Sequence, residues 1–232
     1  MKPFCEVCCP SLEAVARAVA AGAGRIELCE RLEVGGVTPS ESLIKDALAI
    51  AGAVPVNVLV RPREGDFVYS EEEAAQMLES IALCRALGAS GVVIGALRSD
   101  GSVDMSLMRR LVAAARPVAA RPAAAAASAT AAVDPACPGV LRSHSVTFHR
   151  AFDECSDPFA ALEDIIILGI DRLLTSGHCA NAWEGRFILK ELVERAAGRI
   201  VIMPGCGITP ANLDEIAAIT AATEFHGSRI IN

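Results

Sequence analysis

Three features of the sequence predict a single TIM-type (β/α)8 barrel over residues 1–232. Short apolar, β-branched runs alternate with helical patterns along the chain, which is the signature of repeated βα units and a parallel sheet. The hydrophobic fraction is 53% while aromatics make up 4%, so the core is built of Ala, Val, Leu and Ile. A length of 232 residues suits one such domain, since barrels of this kind commonly run to about 200–250 residues.

Residues 4–8 read as the first strand. A helix follows from about Ser11, with Leu12, Val15, Ala16 and Val19 at helical spacing and Gly22 as its stop. Residues 25–29 form the second strand, and the turn Gly35-Gly36-Val37-Thr38-Pro39-Ser40 leads into the second helix. The third strand is 56–60, followed by a loop over 61–70, a helix over 71–87 stopped by Gly88, and a fourth strand over 91–97. The fourth helix spans Met105–Ala115. The run Ser145-Val-Thr-Phe-His-Arg-Ala-Phe-Asp153 reads as a buried strand that carries a histidine, an arginine and an aspartate towards its end. Helices over 158–168 and 183–197 flank a sixth strand at Arg172–Thr175, and the seventh strand is 199–203. A last helix starts at Thr209-Pro210, with threonine as cap and proline in the first turn. The eighth strand is 223–226, and no eighth helix follows it, so apolar surface there is expected either to be exposed or to be covered by a partner such as a second copy of the chain.

One segment breaks the rhythm. Residues 119–144, with the run 123–127 of alanines and prolines at 122, 135 and 138, read as a flexible low-complexity insertion or as an Ala-rich extension of the preceding helix.

Charge and cysteine usage narrow the function. A net charge of −7 argues against a nucleic-acid binder, which needs a basic surface. No apolar run reaches the roughly 18 residues that a membrane span requires, and Met1-Lys2-Pro3 leads straight into a strand, so a cytoplasmic protein is expected. The nine cysteines are odd in number and lack paired CxxC spacing. They read as reduced thiols, some in the core and some as soft-metal ligands.

Period two assigns the barrel interior. With the apolar parity under the helices, Glu6 and Cys8, then Arg25, Glu27 and Cys29, then Asn57 and Arg61, then Thr147 and His149, and finally Glu224 and His226 face inward. Glu6, Glu27, Arg61, His149 and His226 thereby converge near the carboxyl ends of the strands, where sites on this fold sit. One reading is an internal ion lattice, with Glu6 and Glu27 neutralised by Arg61 and Arg63. The other is a site for a small anionic ligand, with His149 as proton carrier, Glu6 and Glu27 orienting, and Arg61 with the turn Gly205-Cys206-Gly207 holding the anion. Cys8 and Cys29 lie one inward step beyond Glu6 and Glu27 on neighbouring strands about 4.8 Å apart. Two thiolates there suit Cu(I), or they are simply small core residues. Cys9 is the next candidate thiol, and Cys5 has outward parity.

Several stretches together carry a family resemblance. They are Glu6-Val7-Cys8, Arg25-Ile26-Glu27-Leu28-Cys29, the 35–40 turn, Arg61-Pro62-Arg63-Glu64-Gly65-Asp66-Phe67-Val68-Tyr69-Ser70, the 146–153 run, Leu174-Thr175-Ser176-Gly177 and Thr223-Glu224-Phe225-His226. In this order they resemble the CutC copper-homeostasis family, over nearly everything except 119–144. Glu64 stands where that family usually has glycine and Gly24 where it usually has aspartate. The resemblance implies a TIM barrel, a cytoplasmic location and Cu(I) held at the positions of Cys8 and Cys29. Around them Arg61, Arg63, Ser176, Gly205, Gly207 and His226 are the expected ligand-binding residues. The rival expectation is a barrel enzyme acting on a small phosphorylated or carboxylated metabolite, with His149 as acid/base.

Overall fold

A computed structural model describes residues 3–116 and 144–231. Eight parallel strands form one sheet: β1 (Phe4–Cys9), β2 (Arg25–Leu28), β3 (Val56–Leu59), β4 (Gly91–Ile94), β5 (Ser145–Phe148), β6 (Arg172–Thr175), β7 (Val201–Pro204) and β8 (Glu224–Gly227). Between them run α1 (Leu12–Ala20), α2 (Glu41–Ala51), α3 (Glu71–Ala86), α4 (Met105–Ala115), α5 (Pro158–Ile167), α6 (Arg186–Ala196) and α7 (Leu213–Thr220). Hydrogen-bonded neighbours follow chain order from β1 to β7, and β8 returns to pair with β1. The result is a nearly closed TIM barrel. Among the described residues β7 and β8 lie side by side without a ladder between them.

The two faces of each strand part as period two requires. Val7, Ile26, Val58, Val92, Val146, Phe148 and Phe225 are buried in the layer between sheet and helices. That layer meets apolar stripes such as Ala74, Met77, Ile81 and Cys84 of α3. Each large side chain buried there contributes about 1.5–3 kcal/mol. Inside the barrel, Cys8, Cys29, Leu59 and Val93 pack together as a separate small cluster. Helix starts are fixed locally: Ser70 and Glu73 form a capping box at α3, and Ser11 and Ser40 cap α1 and α2.

The structure corrects four boundaries. The fourth strand ends at Ile94, so the 91–97 strand is too long by three residues. The 145–153 run is not one strand: β5 stops at Phe148, and Arg150–Glu154 forms a 3-10 turn that the His149 side chain caps by accepting from Ala151 N–H at 3.1 Å. Helix α6 begins at Arg186 rather than 183. The Asn181 side chain first closes a turn by accepting from Glu184 N–H, and Gly185 is pressed so tightly on β6 that an added Cβ would lie 1.9 Å from Ser176 O. The Thr209-Pro210 helix start is also displaced. Asn212 Oδ1 accepts from Thr209 N–H at 2.8 Å, closing a separate turn, and α7 opens only at Leu213. The 119–144 segment lies outside the described residues except for its last member, His144.

Candidate functional site

The carboxyl ends of the strands open into a cavity of about 660 Å³. Of the residues expected at the site, Cys8, Glu27, Arg61, His149, Gly207 and His226 line it. Cys29 stands directly behind Cys8, fully buried, with the two sulfurs 3.7 Å apart. Glu6 lies one layer deeper and is also fully buried.

Register explains this layering. On β1 and β2, Glu6 is opposite Arg25 and Cys8 is opposite Glu27, so the expected level pairing of Cys8 with Cys29 is off by one inward step. On the other side Glu6 is opposite His226 of β8. The deeper layer is an ion lattice. Arg25 donates from Nε to Glu6 and from Nη2 to Glu224 at 2.6 Å, while Arg172 donates to the same Glu224 oxygen at 2.8 Å. Burial works against the Glu224 charge, but Arg25 and then Arg172 outweigh it and hold the carboxyl below its usual range. This corrects the expectation that Arg61 and Arg63 neutralise the interior carboxylates.

Glu27 is matched instead by His226. Its Oε2 lies 2.9 Å from His226 Nε2, an ion pair whenever the ring is protonated. Burial opposes protonation of His226, yet the Glu27 carboxylate, and then Glu6, raise its pKa. Cys8 Sγ, a Glu27 oxygen and a His226 nitrogen all lie within 4.8 Å of one another. The Cys8 thiol is pushed well up, first by its contact with Cys29, then by burial and the Glu27 charge. With two sulfurs, a carboxylate and an imidazole, this donor set fits a soft or borderline ion. Metal–thiolate bonds of about 2.3 Å let one ion reach both sulfurs across their 3.7 Å gap.

His149 sits on the opposite wall. Burial, and then the nearby Arg61 charge, lower its pKa to about 3, so it is neutral at physiological pH. Its room comes from Gly95, where an added Cβ would lie 2.6 Å from the imidazole ring. Arg61 stacks over Phe67, with the guanidinium carbon 4.7 Å from the ring centroid, and Phe67 in turn lies 5.0 Å from the His149 ring.

Besides Cys29 and Glu6, three expected residues stand away from the cavity lining. Arg63 is taken by Glu73 at 2.6 Å and Asp66 at 2.9 Å on the 61–70 loop, because β3 has ended and strand parity no longer applies. Ser176 donates to Cys179 O at 2.7 Å. Gly205 packs under Leu174 and His226, where a Cβ would meet Leu174 at 2.4 Å. The cavity also recruits residues that the sequence reading left aside. Asp153 accepts from Ser176 N–H and His178 N–H and pairs with Arg150 at 2.8 Å, which holds the 3-10 turn at the rim. His178, at φ +57°, contacts Cys155 Sγ at 3.4 Å. The Ser176-Gly177 dipeptide just before His178 was the available sign of a sharp rim turn.

Comparison with known proteins agrees with this architecture. The family model described as the CutC family matches residues 4–134 and 137–231. A CutC family protein from Parabacteroides distasonis is 46% identical over 228 residues, covering 98% of this chain and 83% of its own length. A mouse relative named a copper homeostasis protein cutC homolog is 44% identical over 223 residues, 96% of this chain and 72% of the relative. A solved Streptococcus agalactiae structure carrying the CutC name superposes with a TM-score of 0.83 at 31% identity, covering 99% of this chain and 100% of the other. The barrel, the inward Cys8–Glu27–His226 group and these matches lead to one conclusion: the chain belongs to the CutC family.

Proposed function

We propose that this chain is a cytosolic copper-homeostasis protein that holds Cu(I) between the thiolates of Cys8 and Cys29. The observation that carries the reading is the 3.7 Å approach of two buried sulfurs at the inner end of an open cavity. Cu(I) prefers sulfur among the protein's donors. Two thiolates on one monovalent ion leave a net charge of −1, and the His226 ring, whose pKa Glu27 raises, stands beside Cys8. The relatives named for copper homeostasis support the same reading. The cytosolic assignment draws on Cys8 and Cys29, which stand 3.7 Å apart as thiols rather than as a disulfide, since oxidising compartments favour disulfides. No described helix is long and apolar enough to cross a membrane.

The test is an anaerobic titration of reduced protein with Cu(I) against a competing chelator, comparing wild type with the Cys8→Ser, Cys29→Ser double variant. Wild type is expected to bind one equivalent, and the double variant to lose binding by at least about a thousandfold, roughly 4 kcal/mol. Equal binding by the two proteins sinks the thiolate site.

A further inference from the structure

Arg61 is buried, at 6% exposure, yet among the described residues no carboxylate pairs with it. Its Nη1 donates to the carbonyl oxygens of Val34 and Gly36, both at 3.1 Å, and its Nη2 to Gly65 O at 2.7 Å. All three acceptors are neutral, as is the Tyr69 hydroxyl near the guanidinium, and Nε–H is buried without an aligned acceptor. A buried charge left without a counterion is expensive, on the order of several kcal/mol. Arg25 and Arg172, in the same barrel, both have carboxylates. The three carbonyls therefore aim and hold the guanidinium without neutralising it.

His149 has the same shortfall. Its Nδ1 accepts from Ala151 N–H at 3.1 Å, which places the ring proton on Nε2, and Nε2 is buried without an acceptor. Both residues line the mouth cavity, and Phe67 packs against both of them. Two fixed donors lacking an aligned acceptor, one of them charged and both beside Phe67, describe a place prepared for an anion.

We propose that the mouth binds a small carboxylate compound, whose carboxylate accepts from Arg61 Nε–H and His149 Nε2–H and supplies the counterion that Arg61 lacks. A monoanionic head group matches the single charge that Arg61 leaves unbalanced, since of the other charged residues lining the cavity Asp153 is paired with Arg150, Glu27 faces His226, and Arg229 lines it together with Glu154. His149 acts as a neutral donor, in keeping with a pKa held near 3 by burial and Arg61. The site uses neither Cys8 nor Cys29, so it stands whether or not copper binds.

The experiment is an NMR titration of the 15N-labelled full chain with pyruvate, inorganic phosphate and acetamide, following the Arg61 Nε–H and His149 Nε2–H signals. Pyruvate is expected to move both signals saturably, and acetamide, which lacks the charge, to bind at least about tenfold more weakly. Arg61→Gln and His149→Asn should each weaken pyruvate about tenfold or more, the worth of a hydrogen bond to a charged group. Asparagine keeps an acceptor near Ala151 N–H and removes only the outer donor, so His149→Asn decides if Arg61→Gln does not fold. The proposal is overturned if pyruvate fails to saturate, if acetamide binds equally, if phosphate binds more tightly than pyruvate, or if His149→Asn leaves the affinity unchanged.

Discussion

The floor and the mouth of this barrel hold the same kinds of side chain under opposite rules. On the floor, Arg25 and Arg172 share Glu224, and Arg25 also takes Glu6, so every cation has an anion. At the mouth, Arg61 donates only to neutral carbonyl oxygens, His149 Nε2–H lacks an acceptor, and the thiols of Cys8 and Cys29 face each other. Arg25 and Glu6 on the floor are as buried as Arg61 and His149 at the mouth. The difference teaches that depth alone does not identify a site. What marks one is a buried polar group whose chemistry is left unfinished by the protein.

Breaking the floor should have the largest effect on folding. Arg25→Leu leaves Glu6 and part of the Glu224 charge buried and unpaired, and is expected to destabilise the barrel by about 3–5 kcal/mol in urea denaturation. Arg25 and Arg172 hold the Glu224 pKa down, so that pairing stabilises above the ordinary carboxyl range and is lost as pH falls through the lowered value. The deficit of the variant should accordingly be greatest near neutrality and shrink in acid. A deficit that stays below 1 kcal/mol, or grows in acid, would contradict the lattice.

Gly95→Ala tests the mouth with a smaller change. Its Cβ would fall 2.6 Å from the His149 ring, so the ring must shift and its bond to Ala151 N–H must weaken. A stability loss of about 1–3 kcal/mol is expected, together with a moved His149 Nε2–H signal. An unshifted signal would show that the ring is not held as described.

The smallest effect sharpens the thiol pair. Cys8 holds its proton well above the usual thiol range, and Cu(I) must displace that proton. Chelator competition at pH 6, 7 and 8 should therefore show affinity rising about tenfold per pH unit for each proton released, about 1.4 kcal/mol per unit. A flat profile removes Cys8 from the ligand set.

Parity was readable from the chain because the two-residue alternation of a strand is set by its backbone. Glu6, Cys8, Arg25, Glu27 and His226 face inward on that rule alone. Register is another matter: nothing in the period-two pattern says that Cys8 stands opposite Glu27, because the stagger of neighbouring strands arises from closing the sheet. The choice of Arg25 rather than Arg61 as partner for Glu6 follows from that stagger. Loop residues were harder still. Arg63 keeps the inward parity of Arg61 in the numbering, but the strand ends at Leu59, and Glu73 and Asp66 claim it. Asp153 gathers amides from the 176–178 turn, a contact made across 23 to 25 positions of sequence and visible only once β5 and β6 are side by side.

The unladdered seam between β7 and β8 has a dynamic consequence. Among the described residues, seven of the eight strand junctions are zipped by backbone ladders, and at the eighth β7 and β8 lie side by side without one. The barrel is then a rolled ribbon with two free selvages rather than a hoop. Amides along β8 that face β7 should exchange with solvent before those of β3 or β4, and small breathing motions will run along this line first. Since His226 rides on β8 and Gly205 stands across the seam, such breathing widens or narrows the mouth directly, without disturbing the paired floor beneath it.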